Sequence, residues 1–525
     1  MKTRWKILIG LAAVLGIVVV AAVAHHFQLK AAVNRYRAEL KAKGEPMELA
    51  EVIPPPVPSQ KNGAEIFLKA YGLIQNTTSF LSTNSLCGNR MVGPGRAKVC
   101  FMQPYLSEPG KFGFTNSWEQ ADSARSQYDD AIQLLRQVGD ERIPDFQINY
   151  AKGFTEAGLF TNLHLVDLKK SATILGDAAL IDLHAGNIVG AVQNVCSALA
   201  LTEALKHQKL VISELVRIAM VSNAQYPTWE LMQSEKIPDQ DLSKLQNAWE
   251  RLELIPGLED ALTVERLVGD LTLSKQRTSN AELEKYLGVF QAARRSLGDD
   301  EEADVNIFQR AKFRIEIFLW RYWWSYSDEL RTLHGMQILE DASRQAETNG
   351  AFSALLHEQQ ADLEKLGLFQ GPDKLVNPLL LFEQPDLHSM LSDSVITLSG
   401  CLKRVMNIEA LRSVTIAAIA LKRFQLKHGV YPAHLAELTP EFLASVPLDP
   451  VDGKPLRYRL NTDGSFTLYS VGENGKDDGG NPTLADDSRS KSLQWQNPNA
   501  LDWVWPQPAT DAEIQKYYEE QAKQP

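Results

Sequence analysis

Between Gly472 and Gly480 the sequence reads GENGKDDGG. Asn474, Asp477 and Asp478 place hard oxygen donors close together, on a stretch whose glycines permit tight turning. Calcium takes roughly six to eight such oxygens, from carboxylates, amides, backbone carbonyls and water. The same residues also make an ordinary solvated turn, so the loop is either a cation site or punctuation. An EF-hand is excluded, because the D-x-[DN]-x-[DN]-G pattern and its closing Glu are absent.

Other chemistry is scarce. HEQQA, at 357–361, begins like a zincin helix but lacks the second His, so neither the metal grip nor the mechanism is complete. There is no GxSxG elbow and no P-loop. Adjacent acids such as Asp129-Asp130 and Asp299-Asp300 point apart on a helix and make poor acid/base pairs. The formal net charge of −11, with no basic stripe, argues against a nucleic-acid binder. The four cysteines form no CxxC pair. Cys87 and Cys100 bracket the loop CGNRMVGPGRAKVC and would close it as a disulfide in an oxidising compartment, or stay as two thiols. Cys196 sits in an apolar helical stretch and reads as core. The chain therefore reads as a non-enzyme, the alternative being an envelope hydrolase whose site is assembled from scattered residues.

These residues need elements to hold them. Lys2, Arg4 and Lys6 precede an uncharged apolar run from Ile7 to Ala24. At about 1.5 Å per residue this run nearly crosses a hydrocarbon core of about 30 Å. The expectation is a single-pass anchor in the cell membrane, with a cleaved signal ending at Ala22-Val23-Ala24 and a buried soluble helix as alternatives. The basic N-terminus favours the inside, which leaves the bulk of the chain extracytoplasmic. HHFQLKAAVNRYRAELKAK continues as helix until Gly44 and Pro46, and IPPPVP, at 53–58, is a stiff spacer.

From 60 onward the pattern is mostly helical. Leu165, Leu168, Ile174, Leu175 and Ala178 recur at helical spacing, and a second helical arm follows a turn at Gly186. In IFQRAKFRIEIFLWRYWWSYSDELRTLH the charges at Arg314, Glu316 and Arg321 argue against a second span. Trp320, Trp323 and Trp324 fall together on a helix, either as a core face or as an interaction patch.

From about Leu402 the text changes. A strongly amphipathic helix carries Val414, Ala417, Leu421 and Phe424 at spacings of three and four, and Gly429 and Pro432 stop it. In AHLAELTPEFL, Thr439 and Pro440 suggest a second short helical turn. PLRYRL, NTDG and SFTLYSV read as a hairpin.

This order (helix, HGVYPAHLAEL, PLDPVDGKPLRY, hairpin, LYSVGENG, acidic loop) resembles the globular part of the major pseudopilin of type II secretion, over roughly residues 405–480. The whole chain also resembles uncharacterised exported bacterial proteins that join a helical region to this ending. The pseudopilin resemblance implies a Ca2+ site in the loop, with Leu468, Ser470, Asn474, Asp477, Asp478 and Asp502 as ligands and Asp486 or Asp487 as alternatives for the last. It departs from the family in its N-terminus. Neither Gly10 nor Gly16 has the Glu of a prepilin peptidase site, and the apolar helix lies hundreds of residues before the module. Processing and assembly as a pilus subunit are therefore not expected.

The expected protein is mainly α with a small C-terminal α+β module. The segments are an anchor or signal at 1–29, a juxtamembrane helix and spacer at 30–59, a helical domain at 60–401, the pseudopilin-like module at 402–490 and a tail at 491–525. Its expected role is structural or interactive, beside a secretion or pilus-like system, with the membrane and envelope proteins as partners.

Overall fold

The computed structural model describes residues 2–77, 79–81, 91–104, 106, 117–138, 142–155, 163–283, 285, 315, 317–368, 392–485, 497 and 499–522. The fold is mainly helical with a small C-terminal sheet. The helices are α1 (Lys2–Ala42), α2 (Leu49–Val52), α3 (Ala64–Ile74), α4 (Trp118–Ser126), α5 (Asp129–Arg136), α6 (Leu165–His184), α7 (Ile188–Ala204), α8 (Val211–Met232), α9 (Asp239–Glu250) and α10 (Leu254–Thr278). A π-helical turn, Trp320–Trp324, leads into α11 (Ser325–Asn349). Then come α12 (Phe352–Lys365), α13 (Ser392–Leu398), α14 (Cys401–His428) and α15 (Asp511–Ala522). The strands are β1 (Met91–Gly93), β2 (Arg96–Ala97), β3 (Arg457–Leu460), β4 (Phe466–Val471), β5 (Asp502–Val504) and β6 (Gln507–Pro508).

The expected hairpin of α6 and α7 forms, turning on Gly186 at φ +82°. Asn187 caps the second arm by accepting the Gly190 N–H at 3.1 Å. Both helices bury apolar residues on more than one side, because α8 packs across them. At the far end of the chain α14 stops where expected. Gly429 takes φ +79° and donates its N–H to the Gln425 carbonyl at 2.8 Å. The expected second helical turn after Thr439 does not form. The 3₁₀ turn Leu435–Leu438 is present, and Thr439 ends it by donating its hydroxyl to the Ala436 carbonyl.

β3 and β4 pair antiparallel with Arg457 opposite Tyr469 and Leu460 opposite Phe466, closed through Asn461–Gly464. The residues assigned to the tail supply a third strand, β5, with Val471 opposite Asp502. They then cross to β2, which β6 joins in parallel, and α15 locks that crossing through a bidentate Arg96–Glu513 pair at 3.0 and 2.8 Å.

One buried apolar cluster runs from α6 through α14 into the sheet, joining Leu199, Trp249, Leu411 and Ala418 to Leu468, Trp503 and Trp505. A boundary at residue 402 therefore passes through a continuous core. α14 buries side chains on nearly every turn, because α8, α9, α10 and α12 cover the faces that β4 leaves open. The second half of α1 also belongs to the body. Val33 and Leu40 are buried, the Tyr36 ring stacks on His334 at 3.7 Å, and Arg37 pairs with Asp270 at 2.6 Å and Glu329 at 2.7 Å.

Helix packing here encloses charge as well as hydrocarbon. Burial pushes the Glu265 carboxyl on α10 up to about 7, and the Val211 N–H, 3.5 Å away, is too distant to offset the lost hydration. Below about pH 4.5 both folded and unfolded chains hold this proton. Between about 4.5 and 7 only the folded chain keeps it, so stability falls as pH rises through that window. Glu265→Gln is expected to stabilise the protein at pH 8 by roughly 1–3 kcal/mol and to change little at pH 4. Thermal melts at the two pH values check this, and equal shifts at both would contradict it.

Candidate functional site

The C-terminal loop hangs from the end of β4. Gly472 begins it at a place where a side chain does not fit, since a Cβ would lie 2.4 Å from the Leu501 carbonyl oxygen. Gly480 ends it at φ +77°, with a Cβ position 2.9 Å from Thr467. Between them the loop folds back over β4 and β5. Asp502, buried on β5, is its fastening. One carboxylate oxygen accepts the Asp478 N–H at 3.3 Å, and the other accepts those of Gly480 at 2.8 Å and Asn481 at 2.9 Å. Burial pushes the Asp502 carboxyl up, and these three N–H groups oppose that shift.

Asp477 accepts the Tyr469 hydroxyl at 2.8 Å and the Gly479 N–H at 3.0 Å, and its second oxygen faces Arg457 at 3.5 Å. The Tyr469 hydroxyl, together with Gly479 and Arg457, holds the Asp477 carboxyl below its ordinary range. Asp478 accepts the Asn474 amide at 2.9 Å, while the Asn474 carbonyl accepts the Lys476 N–H. The Leu468 carbonyl accepts the Trp505 N–H at 2.8 Å, inside the sheet. The Ser470 hydroxyl donates to Asp449 at 2.7 Å.

The six expected ligands thus lie in one neighbourhood. The Leu468, Asn474, Asp477, Asp478 and Asp502 oxygens accept N–H or O–H groups of the loop and sheet, while the Ser470 hydroxyl is given to Asp449. Among the described residues no group of three His, Cys, Asp or Glu side chains is placed to hold a metal. Asp486 and Asp487 lie outside the described residues. The loop is closed by its own hydrogen bonds. Asp502→Ala should cost about 2–3 kcal/mol by stranding its N–H partners. Millimolar calcium should not move the melting temperature of the full chain. A calcium-dependent rise, which linkage requires of any ion bound to the native state, would reinstate the cation site.

Asp449 was not among the sequence-derived candidates, yet it organises the turn before β3. Fully buried, it accepts from Ser470, from the Val471 and Val451 N–H groups and from Arg457 at 3.0 Å. Burial pushes its carboxyl up. The Phe352 N–H then docks α12 onto the same turn at the Pro450 carbonyl. The signal in the sequence is the DPVDG turn followed by Arg457, and it specifies architecture rather than chemistry.

The tryptophan patch divides. Trp320 is fully buried against Leu273 and Leu283, and Trp324 is half-buried beside it. Trp323 is 38% exposed. The expectation of one shared face assumed a regular helix. The π turn, in which the Ser325 N–H reaches the Trp320 carbonyl, widens the spiral and separates them. Cys100 is disulfide-bonded, whereas Cys196 and Cys401 are in no disulfide. Cys87, its expected partner, lies outside the described residues.

Compared with known proteins, the chain matches no family model, no curated protein and no solved structure.

Proposed function

We propose that this is a membrane-anchored protein whose body lies outside the cytoplasm and works by binding rather than catalysis. The observation that carries the reading is the two-part character of α1. In its first half Val14, Ile17, Val19, Val20 and Val23 are each at least half exposed. Aliphatic side chains in a helical run of this length, left to no protein partner, are what a hydrocarbon layer accommodates. Its second half is part of the core, through Val33, Arg37 and Leu40. Among the described residues the one helix long and apolar enough to span by length and composition is Ile188–Gln208, which is mostly buried in the body and serves as core.

The unbroken helix through Ala24 favours a retained anchor, because cleavage there would cut between the two halves. The bonded state of Cys100 supports an oxidising compartment, and Lys2, Arg4 and Lys6 support an inside N-terminus. The helix, hairpin and loop order of the C-terminal part resembles a pseudopilin and supports a partner in an envelope assembly of secretion or pilus type. The buried state of α14 directs that contact to the sheet and loop rather than to this helix. Alkaline carbonate extraction and intact-mass measurement test the anchor. Full-length chain retained in the pellet is expected. A mature form starting after Ala24, or release into the supernatant, would overturn the reading.

A further inference from the structure

Beside the base of α1 lies a row of exposed apolar side chains. Ile315, Phe318, Leu319, Tyr322 and Trp323 are between 37% and 60% exposed. Ile315, Phe318 and Leu319 precede the π turn and Tyr322 and Trp323 lie within it, and all five share the exposed side of this stretch. The opposite face is spoken for. Trp320 is fully buried and Ile317 and Trp324 pack around it. Arg321 reaches back to the body, to the Asn280 side chain at 2.6 Å and the Gln276 carbonyl at 3.0 Å. These contacts attach the stretch to the body with the row on its outward side.

Its position relative to α1 is fixed by contacts. His26 Nδ1 lies 2.9 Å from the Tyr322 carbonyl oxygen, and the His26 ring meets Tyr326 at 5.0 Å. Further along, Tyr36 stacks on His334 and Glu45 pairs with Arg344 at 2.6 Å. The partner's number rises as the α1 number rises, so the two helices run parallel. Tyr322 and Trp323 sit level with His25 and His26, the first residues past the apolar run. Ile315, Phe318 and Leu319 then lie further toward the N-terminal side, alongside the last turns of that run.

We infer that Ile315, Phe318, Leu319, Tyr322 and Trp323 form an interfacial foot that lies in the outer leaflet beside the anchor and fixes the body against the lipid surface. This rests on the anchored reading above. Three features select lipid as the occupant. The row continues the exposed apolar surface of α1, where Val20, Val23 and Phe27 are also exposed. It combines the wholly apolar Ile315, Phe318 and Leu319 on the deeper side with Tyr322 and Trp323, which carry polar groups, on the shallower, the order in which a hydrocarbon boundary and its headgroup layer arrange side chains. Exposed Lys30 and Arg35 follow on the water side, where anionic headgroups attract basic groups.

The test uses the full chain with Cys196→Ser, reconstituted in phosphatidylcholine–phosphatidylglycerol vesicles. Single spin labels are placed at Val20→Cys, Phe318→Cys and Leu460→Cys, and collision with oxygen is compared with collision with a water-soluble nickel chelate. Oxygen should dominate at Val20 and, less strongly, at Phe318, at a depth of about 5–10 Å. The chelate should dominate at Leu460. A lipid signal at Val20 with a Leu460-like signal at Phe318 would overturn the foot and leave the anchor standing. Water access at Val20 would overturn both. Exclusion of both reagents at Phe318, with dipolar broadening, would overturn the foot in favour of a second copy of the chain covering this face.

Discussion

Arg217→Met is expected to lower the unfolding free energy by about 3–5 kcal/mol. The guanidinium is fully enclosed between α7, α8 and the start of α10. It binds Glu214 at 2.6 Å, Glu203 at 2.6 Å and the Thr202 and Glu253 carbonyls at 3.1 and 3.2 Å. Burial already pushes the Glu214 carboxyl up, and Arg217 is the main opposing influence. Without that charge, Glu214 is left as an unpaired ion in the core or must take up a proton. Gly257 makes the fit, since a Cβ there would lie 2.3 Å from the guanidinium. Denaturant unfolding checks the expectation through a lower midpoint at unchanged slope. Adding Glu214→Gln should restore part of the loss by removing the stranded charge. A single-variant cost under about 1 kcal/mol, the level of an exposed pair, would contradict this account of the core.

Residues 402–525 expressed alone are expected not to fold. In the full chain, Leu411, Val414, Ala417, Ala418 and Leu421 are all buried, and much of what covers them belongs to α8, α9, α10 and α12. The turn at Asp449 also loses α12, whose first N–H groups bind the Pro450 and Val451 carbonyls. The fragment would expose one side of a nearly all-round apolar helix, and such faces drive aggregation rather than folding. Broad, non-cooperative thermal unfolding by circular dichroism is the expected result. A sharp transition would show that the C-terminal part is an independent module.

Much of the secondary structure was legible because it follows from local chemistry. The Gly186 turn, the Gly429 stop and the Asn461–Gly464 hairpin each depend on residues within a few positions. What escaped depends on distant partners. β5 is three residues long and carries no periodicity of its own, so only its pairing with β4 makes it a strand. Asp449 looks like any turn acid until Ser470 and Arg457 arrive from β4 and β3. The tryptophans could not be sorted into core and surface because one wide turn changes the helical phase. The residues of the acidic loop hydrogen-bond to one another and to Asp502. Whether their oxygens face a cation or N–H groups depends on how β5 closes over them, which no spacing rule contains.

The central claim is that α1 crosses a membrane and leaves the body on the far side from Lys2. Cysteine accessibility in intact cells tests it most directly. Thr3→Cys and Leu460→Cys are introduced separately into the full chain with Cys196→Ser, and a membrane-impermeant maleimide is added from outside the cytoplasmic membrane. The account predicts modification at Leu460→Cys, and at Thr3→Cys only after the membrane is permeabilised. Modification of Thr3→Cys from outside, or protection of Leu460→Cys until permeabilisation, would contradict it.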